Sequence, residues 1–102
     1  MDLPGAGPPA REHGGVAGRD LGRLTLWQDG DQEVGVWECT PGPSYWKLET
    51  HEFVHIVAGR MTVTPDDGEP VEIAAGGTAV FPLGWAGTWQ IHETIRKVYV
   101  IF

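Results

Sequence analysis

The sequence has one cysteine, Cys39, in 102 residues. That excludes an internal disulfide and a zinc site built on several thiolates. It has no run of about 18 apolar residues, so no transmembrane helix is expected. Its start, Met1-Asp2-Leu3-Pro4-Gly5, lacks the basic stretch and apolar run of a secretory leader. These absences together predict a cytoplasmic location. Positive charge is scarce and unclustered, with seven Lys and Arg against fourteen Asp and Glu and a net charge of −7. Such a chain repels phosphate backbones and anionic lipid, so neither nucleic acid nor a membrane is an expected partner. Helical periodicity is also missing, since nowhere do apolar residues recur at helical spacing for more than about two turns.

Glycine and proline are plentiful, at 15 and 8 residues, and they punctuate a series of short β-type runs. Residues 1–22 form a Gly/Pro/Ala-rich arm with no apolar period, expected to be flexible or docked on a second subunit. From residue 23 onward, the pattern predicts a single β domain, 23–102. Leu24 and Leu26 alternate with Thr25 and Trp27, and Asp29-Gly30-Asp31 marks a turn. Strands are predicted over 33–39, 45–48, 52–58, 60–64, 71–73, 78–81, 87–91 and 95–102. Gly59 is expected to turn the chain back, and Asp66-Asp67-Gly68 reads as a hairpin. Short strands at regular spacing, separated by turn residues, imply an antiparallel sandwich or barrel.

Two stretches organise this pattern. Glu52-Phe-Val-His-Ile-Val-Ala-Gly59 is a carboxylate leading a strand into a glycine. Gly76-Gly-Thr-Ala-Val-Phe-Pro82-Leu-Gly84 is a second strand ending in a Pro-x-Gly corner. This spacing resembles the two sequence motifs of the cupins. The runs Gly35-Val-Trp-Glu-Cys-Thr-Pro-Gly42, Gly87-Thr-Trp89 and Arg96-Lys-Val-Tyr99 resemble, more narrowly, small single-domain cupins grouped with the cupin domain of (S)-ureidoglycine aminohydrolase. The resemblance spans about residues 24–102 and implies an all-β, double-stranded β-helix (jelly-roll) barrel like that of the cupin-fold sugar-nucleotide epimerases.

It also implies a place to look for chemistry. Cupins of the standard pattern hold a divalent metal with two His and a Glu from the first motif and a His after the second. Carried over position by position, the carboxylate is Glu52. The His positions fall on Tyr45, Lys47 and Gly87, so most metal ligands are missing and no cofactor is expected. The expected substitute is a buried Lys47–Glu52 ion pair, since a buried charge needs a partner. Tyr45 would share the proton work with that pair. Alternation places Tyr45, Val54, Ile56, Trp89 and Ile91 on the inward side, with Trp85 at the barrel mouth. Gly87 would leave the volume of a lost ligand open. Trp37 and Trp46 alternate away from these positions and are expected in the core or at a subunit contact. Lys97 is a further substrate-binding candidate, although the 95–102 strand has two mixed faces and its inward side stays open. None of the four histidines shares a face with another at ligand spacing.

Three readings of function follow. The first is a metal-independent small-molecule binder, working as an isomerase, epimerase or lyase through a Lys–Glu acid/base pair. The second is a divalent-metal hydrolase of the ureidoglycine aminohydrolase type. The third is a non-catalytic dimeric module that binds a metabolite. In each, a small molecule is the ligand and a homodimer the expected assembly.

Overall fold

A computed structural model describes residues 12–13 and 21–102 of the chain. Among them are eight strands: β1 (Glu12–His13), β2 (Leu21–Asp29), β3 (Gln32–Cys39), β4 (Gly42–Leu48), β5 (Glu52–Pro65), β6 (Val71–Ala74), β7 (Thr78–Phe81) and β8 (Ala86–Ile101). No helix among the described residues is long and apolar enough to cross a membrane. Most of the arm assigned to 1–22 lies outside the described residues. What is described of it pairs within the chain, where β1 adds to the edge of β4 through Glu12–Leu48 and His13–Lys47.

All pairings are antiparallel, and two long strands connect them. β5 and β8 run beside each other over their whole lengths, from Glu52–Ile101 to Pro65–Gly87. The C-terminal half of β8 pairs with β3, and the N-terminal half with β4. β5 likewise pairs with β7 in its first half and β6 in its second. The result is two half-sheets that share β5 and β8. One runs β2-β3-β8-β5-β7, and the other runs β1-β4-β8-β5-β6. This is the jelly-roll arrangement of the cupin fold, with open edges at β2, β7, β1 and β6.

Two expected strand pairs are single strands in the structure. Gly59 does not turn the chain back, because β5 continues through it to Pro65. Gly59 instead bends β5, at φ 91°, where its register with β8 shifts. A Cβ here would collide with the Thr94 carbonyl, so only glycine allows the two strands to bend together. β8 likewise runs unbroken from Ala86 to Ile101, with exposed residues at 92–94, rather than breaking into two strands.

The interior lies between the half-sheets. Alternate residues of β8 (Ile91, Ile95, Lys97, Tyr99 and Ile101) are buried, as are Glu52, Val54 and Ile56 of β5. From β3 come Trp37 and Cys39, and from β4 Trp46 and Leu48.

Candidate functional site

Period-two alternation resolves the face that stayed open in the sequence. β8 turns Lys97 inward, beside Ile56 of β5 and Trp37 of β3 in register. Its ammonium lies 2.9 Å from Glu52 Oε2, and the two side chains are 0% and 1% exposed. Two indoles flank that ammonium, with Nζ 4.5 Å from the Trp37 ring centroid and 4.4 Å from that of Trp89. An ammonium stripped of water is thus stabilised by one carboxylate and two π-faces.

The expected Lys47–Glu52 pair does not form. Lys47 and Tyr45 point out of the barrel and are exposed. β4 sits one residue out of phase with the expectation and sends Ser44, Trp46 and Leu48 inward. Trp46 opposes Gly87 in register, and its Nε1 donates to Ser44 Oγ at 2.7 Å. The phase is reset across Glu49-Thr50-His51, where parity cannot be counted through the turn. Trp46 and Trp37, expected away from the inward positions, are both core residues.

Nor does Gly87 leave an open volume. A Cβ there would strike the Thr64 carbonyl, Pro65 Cα and the Trp85 ring, so glycine serves close packing of β8 on β5. Trp89 sits at the centre of an aromatic cluster, with ring centroids 5.9 Å from Trp37, 5.6 Å from Trp46 and 5.2 Å from Phe81. Val54, Ile56 and Ile91 pack around it, and half-buried Trp85 closes the cluster against Phe81. The barrel interior is therefore filled by the chain's own side chains.

Among the described residues, three buried side-chain polar atoms have no partner: Glu52 Oε1, Trp37 Nε1 and Trp89 Nε1. All belong to residues in contact with Lys97. A second buried carboxylate, Glu33, is served by neutral donors. Tyr99 Oη donates to Glu33 Oε2 at 2.5 Å, and Thr25 Oγ1 donates to the same oxygen at 3.0 Å. Burial, then the bond to Glu33 and that carboxylate's charge, push the Tyr99 hydroxyl well above the ordinary tyrosine pKa. Nothing in the cupin motifs pointed to Glu33 or Tyr99. Alternation put Tyr99 on one face with Lys97 and Glu33 on one face with Trp37, but which of those faces is interior was not legible from the sequence.

The metal positions of the cupin pattern do not fit a metal here. Tyr45 and Lys47 face outward, Gly87 has no donor atom, and one oxygen of Glu52 is bonded to an ammonium. Among the described residues, no group of three or more His, Cys, Asp and Glu is placed to hold a metal. His51 accepts the Leu83 amide at Nδ1 (3.0 Å) and stacks on Phe102, while His92 shares a hydrogen bond with Thr62 Oγ1 at 2.7 Å.

At the barrel mouth, an open cleft of roughly 430 Å³ is lined by Asp66, Asp67, Leu83 and Trp85, with Pro65 and Pro82. Tyr45, from its exposed position, donates to Asp66 Oδ2 at 2.5 Å. That bond, with smaller contributions from burial and the Asp66 charge, raises the Tyr45 pKa.

Residues 26–99 match the EutQ-like cupin domain. The chain belongs to that family. No curated protein matches the sequence at a significant level. Among solved structures, a DUF861 family protein from Thermotoga maritima is 33% identical, with a TM-score of 0.64, over 66% of this chain and 76% of that one. The EutQ protein of Clostridium difficile superposes with a TM-score of 0.74 at 18% identity, over 83% of this chain and 69% of that chain. A putative ethanolamine utilization protein Q from Salmonella typhimurium gives 0.72 at 20%, over 81% and 69%. These matches support a EutQ-like cupin, a coarser assignment than the ureidoglycine aminohydrolase family.

Proposed function

We propose that this EutQ-like cupin domain is a metal-independent binder of a small molecule. Lys97–Glu52 stands in place of a metal centre, and the mouth cleft is the ligand site. One observation carries this reading. The carboxylate that the cupin motif assigns to a metal is buried against an internal ammonium at 2.9 Å. A divalent cation beside Glu52 would also lie beside Lys97, and like charges in a low-dielectric interior repel strongly.

The same observation argues for a structural pair rather than an acid/base one. A general acid or base must come within hydrogen-bond reach of its substrate. Lys97 and Glu52 are enclosed by the indoles and by their own bond. The ligand would bind in the cleft, whose chemistry differs from that of a lysine pocket. Asp66 and Asp67 supply carboxylates, Trp85 supplies an aromatic surface, and among the described residues no cationic side chain lines it. Those groups suit a small organic cation, such as a primary or quaternary amine. Ethanolamine, which appears in the Salmonella protein's name, is one such cation.

Two measurements test the reading. After incubation with Mn, Fe, Ni or Zn and desalting, elemental analysis should find far less than one metal per chain. Stoichiometric metal would refute the substitution. Tryptophan emission should respond to ethanolamine and choline but not to acetate. Asp67→Asn should weaken amine binding about tenfold, the value of one charged contact. Equal binding of acetate would refute the assigned ligand class.

A further inference from the structure

The interior that the cupin pattern gives to a metal is fitted here to a different cation. Three contacts converge on the Lys97 ammonium. Glu52 Oε2 accepts from it at 2.9 Å. The Trp37 ring centroid lies 4.5 Å from Nζ and that of Trp89 4.4 Å. Trp37 stands on β3 in one half-sheet, and Trp89 on the N-terminal half of β8 in the other, so the ammonium is held between the two. Among the described residues, Glu52 Oε1 has no partner, so the carboxylate still has an acceptor to offer. A carboxylate and aromatic faces are the groups by which proteins recognise an alkylammonium ligand.

The path of the lysine stem matters as much as its charge. In register, Lys97 stands beside Ile56, whereas Glu52 stands beside Ile101, four residues along each strand. That separation is about 13 Å along the sheet. Neither side chain spans it alone, so the two lean toward each other past Val54 and Tyr99, which pair in the row between. Lys97 therefore enters the core as a buried alkyl chain with its charge at the far end.

We propose that the barrel interior is a binding site for a primary alkylammonium group, and that Lys97 is its built-in occupant. The recognising groups belong to other strand positions, and the Lys97 backbone only tethers the ligand, which gives it a high effective concentration. A primary ammonium fits where a quaternary one does not, because only an N–H can donate to Glu52. This inference does not depend on the ligand assigned to the mouth cleft.

Cutting the tether tests it. Lys97→Ala removes three methylene carbons and the ammonium, and n-propylammonium is the missing piece. A cavity left by truncating a core side chain takes up a small molecule that matches its lining. At about 50 mM and about pH 7, n-propylammonium should raise the melting temperature of Lys97→Ala by about 5 °C more than that of the parent. n-Propanol, of the same size without charge, should not, nor should tetramethylammonium, which is charged without an N–H. Lys97→Met, which refills the slot, should respond only as the parent does. So should Lys97→Ala combined with Glu52→Gln, which lacks the charge that pairs with the amine. Amine bound at the mouth cleft acts on all of these chains alike, so failure of the cleft assignment leaves the comparison intact. If Lys97→Ala is unfolded alone, n-propylammonium should restore its far-UV circular dichroism. In the parent, the Lys97 ammonium protons should exchange slowly by NMR, with the adjacent methylene shifted upfield by the two indoles. No gain from n-propylammonium overturns the proposal, as does an equal gain from n-propanol or in Lys97→Met. So do parent Lys97 ammonium protons that exchange as fast as those of an exposed lysine.

Discussion

Lys97 acts through its surroundings more than through its own chemistry. Removing either member of a fully buried ion pair strands the other charge, which typically costs about 3–5 kcal/mol. Lys97→Met and Glu52→Leu should each destabilise the fold by about that amount. The double variant should recover most of the loss, because an apolar pair of similar volume often substitutes well. Urea denaturation of the three variants measures this, and additive losses would show that the two side chains do not act as a pair. Tyr99 gives a second prediction, tied to pH. Its folded pKa is raised above the unfolded value of about 10. The protonated hydroxyl therefore contributes stability that is complete below pH ~10 and is lost as pH rises toward the folded value. Stability of the parent relative to Tyr99→Phe should fall across that alkaline window. A constant difference would mean that Tyr99 and Glu33 are not bonded as described.

At the scale of strands, the long β5–β8 pair governs the fold, and Gly59 lets it bend. Gly59→Ala combines a positive φ of 91° with a collision against the Thr94 backbone. It should destabilise the domain by about 3 kcal/mol or more, since neither strand can retreat without breaking its ladder. Gly76 has nearly the same φ, 90°, but a Cβ there meets nothing within 4 Å. Gly76→Ala should cost only the conformational penalty, about 1 kcal/mol. Thermal melts of the two variants separate steric collision from dihedral strain, and equal losses would place the whole effect in the dihedral. Elements also set what could be read ahead. Glu52, Val54 and Ile56 share one parity within an uninterrupted run, so their common face is legible from alternation, and Trp89 and Ile91 follow likewise. Tyr45 and Lys47 are separated from Glu52 by the Glu49-Thr50-His51 corner. A motif spacing counted through a corner carries no parity, and the true inward residues were Ser44, Trp46 and Leu48.

For the whole molecule, the sequence by itself determined the class and much of the architecture. Alternation without helical periodicity, with glycine and proline at strand ends, points to an antiparallel sandwich or barrel, and the resemblance of the Glu52–Gly59 and Gly76–Gly84 stretches to cupin motifs selects the jelly roll. These are local signals, set by backbone preferences and side-chain period over a few residues. The tertiary structure decided which of two mixed faces of β8 points inward. It thereby chose Lys97 over Lys47 as the partner of Glu52. It also decided that the interior is filled and that the cleft at its mouth is acidic. Each of these depends on registers between strands distant in sequence, such as Glu33 with Ile101 or Trp37 with Lys97. A one-residue change in such a register exchanges the two faces of a strand. Only the assembled sheet, where burying an unpaired charge is costly, selects between them.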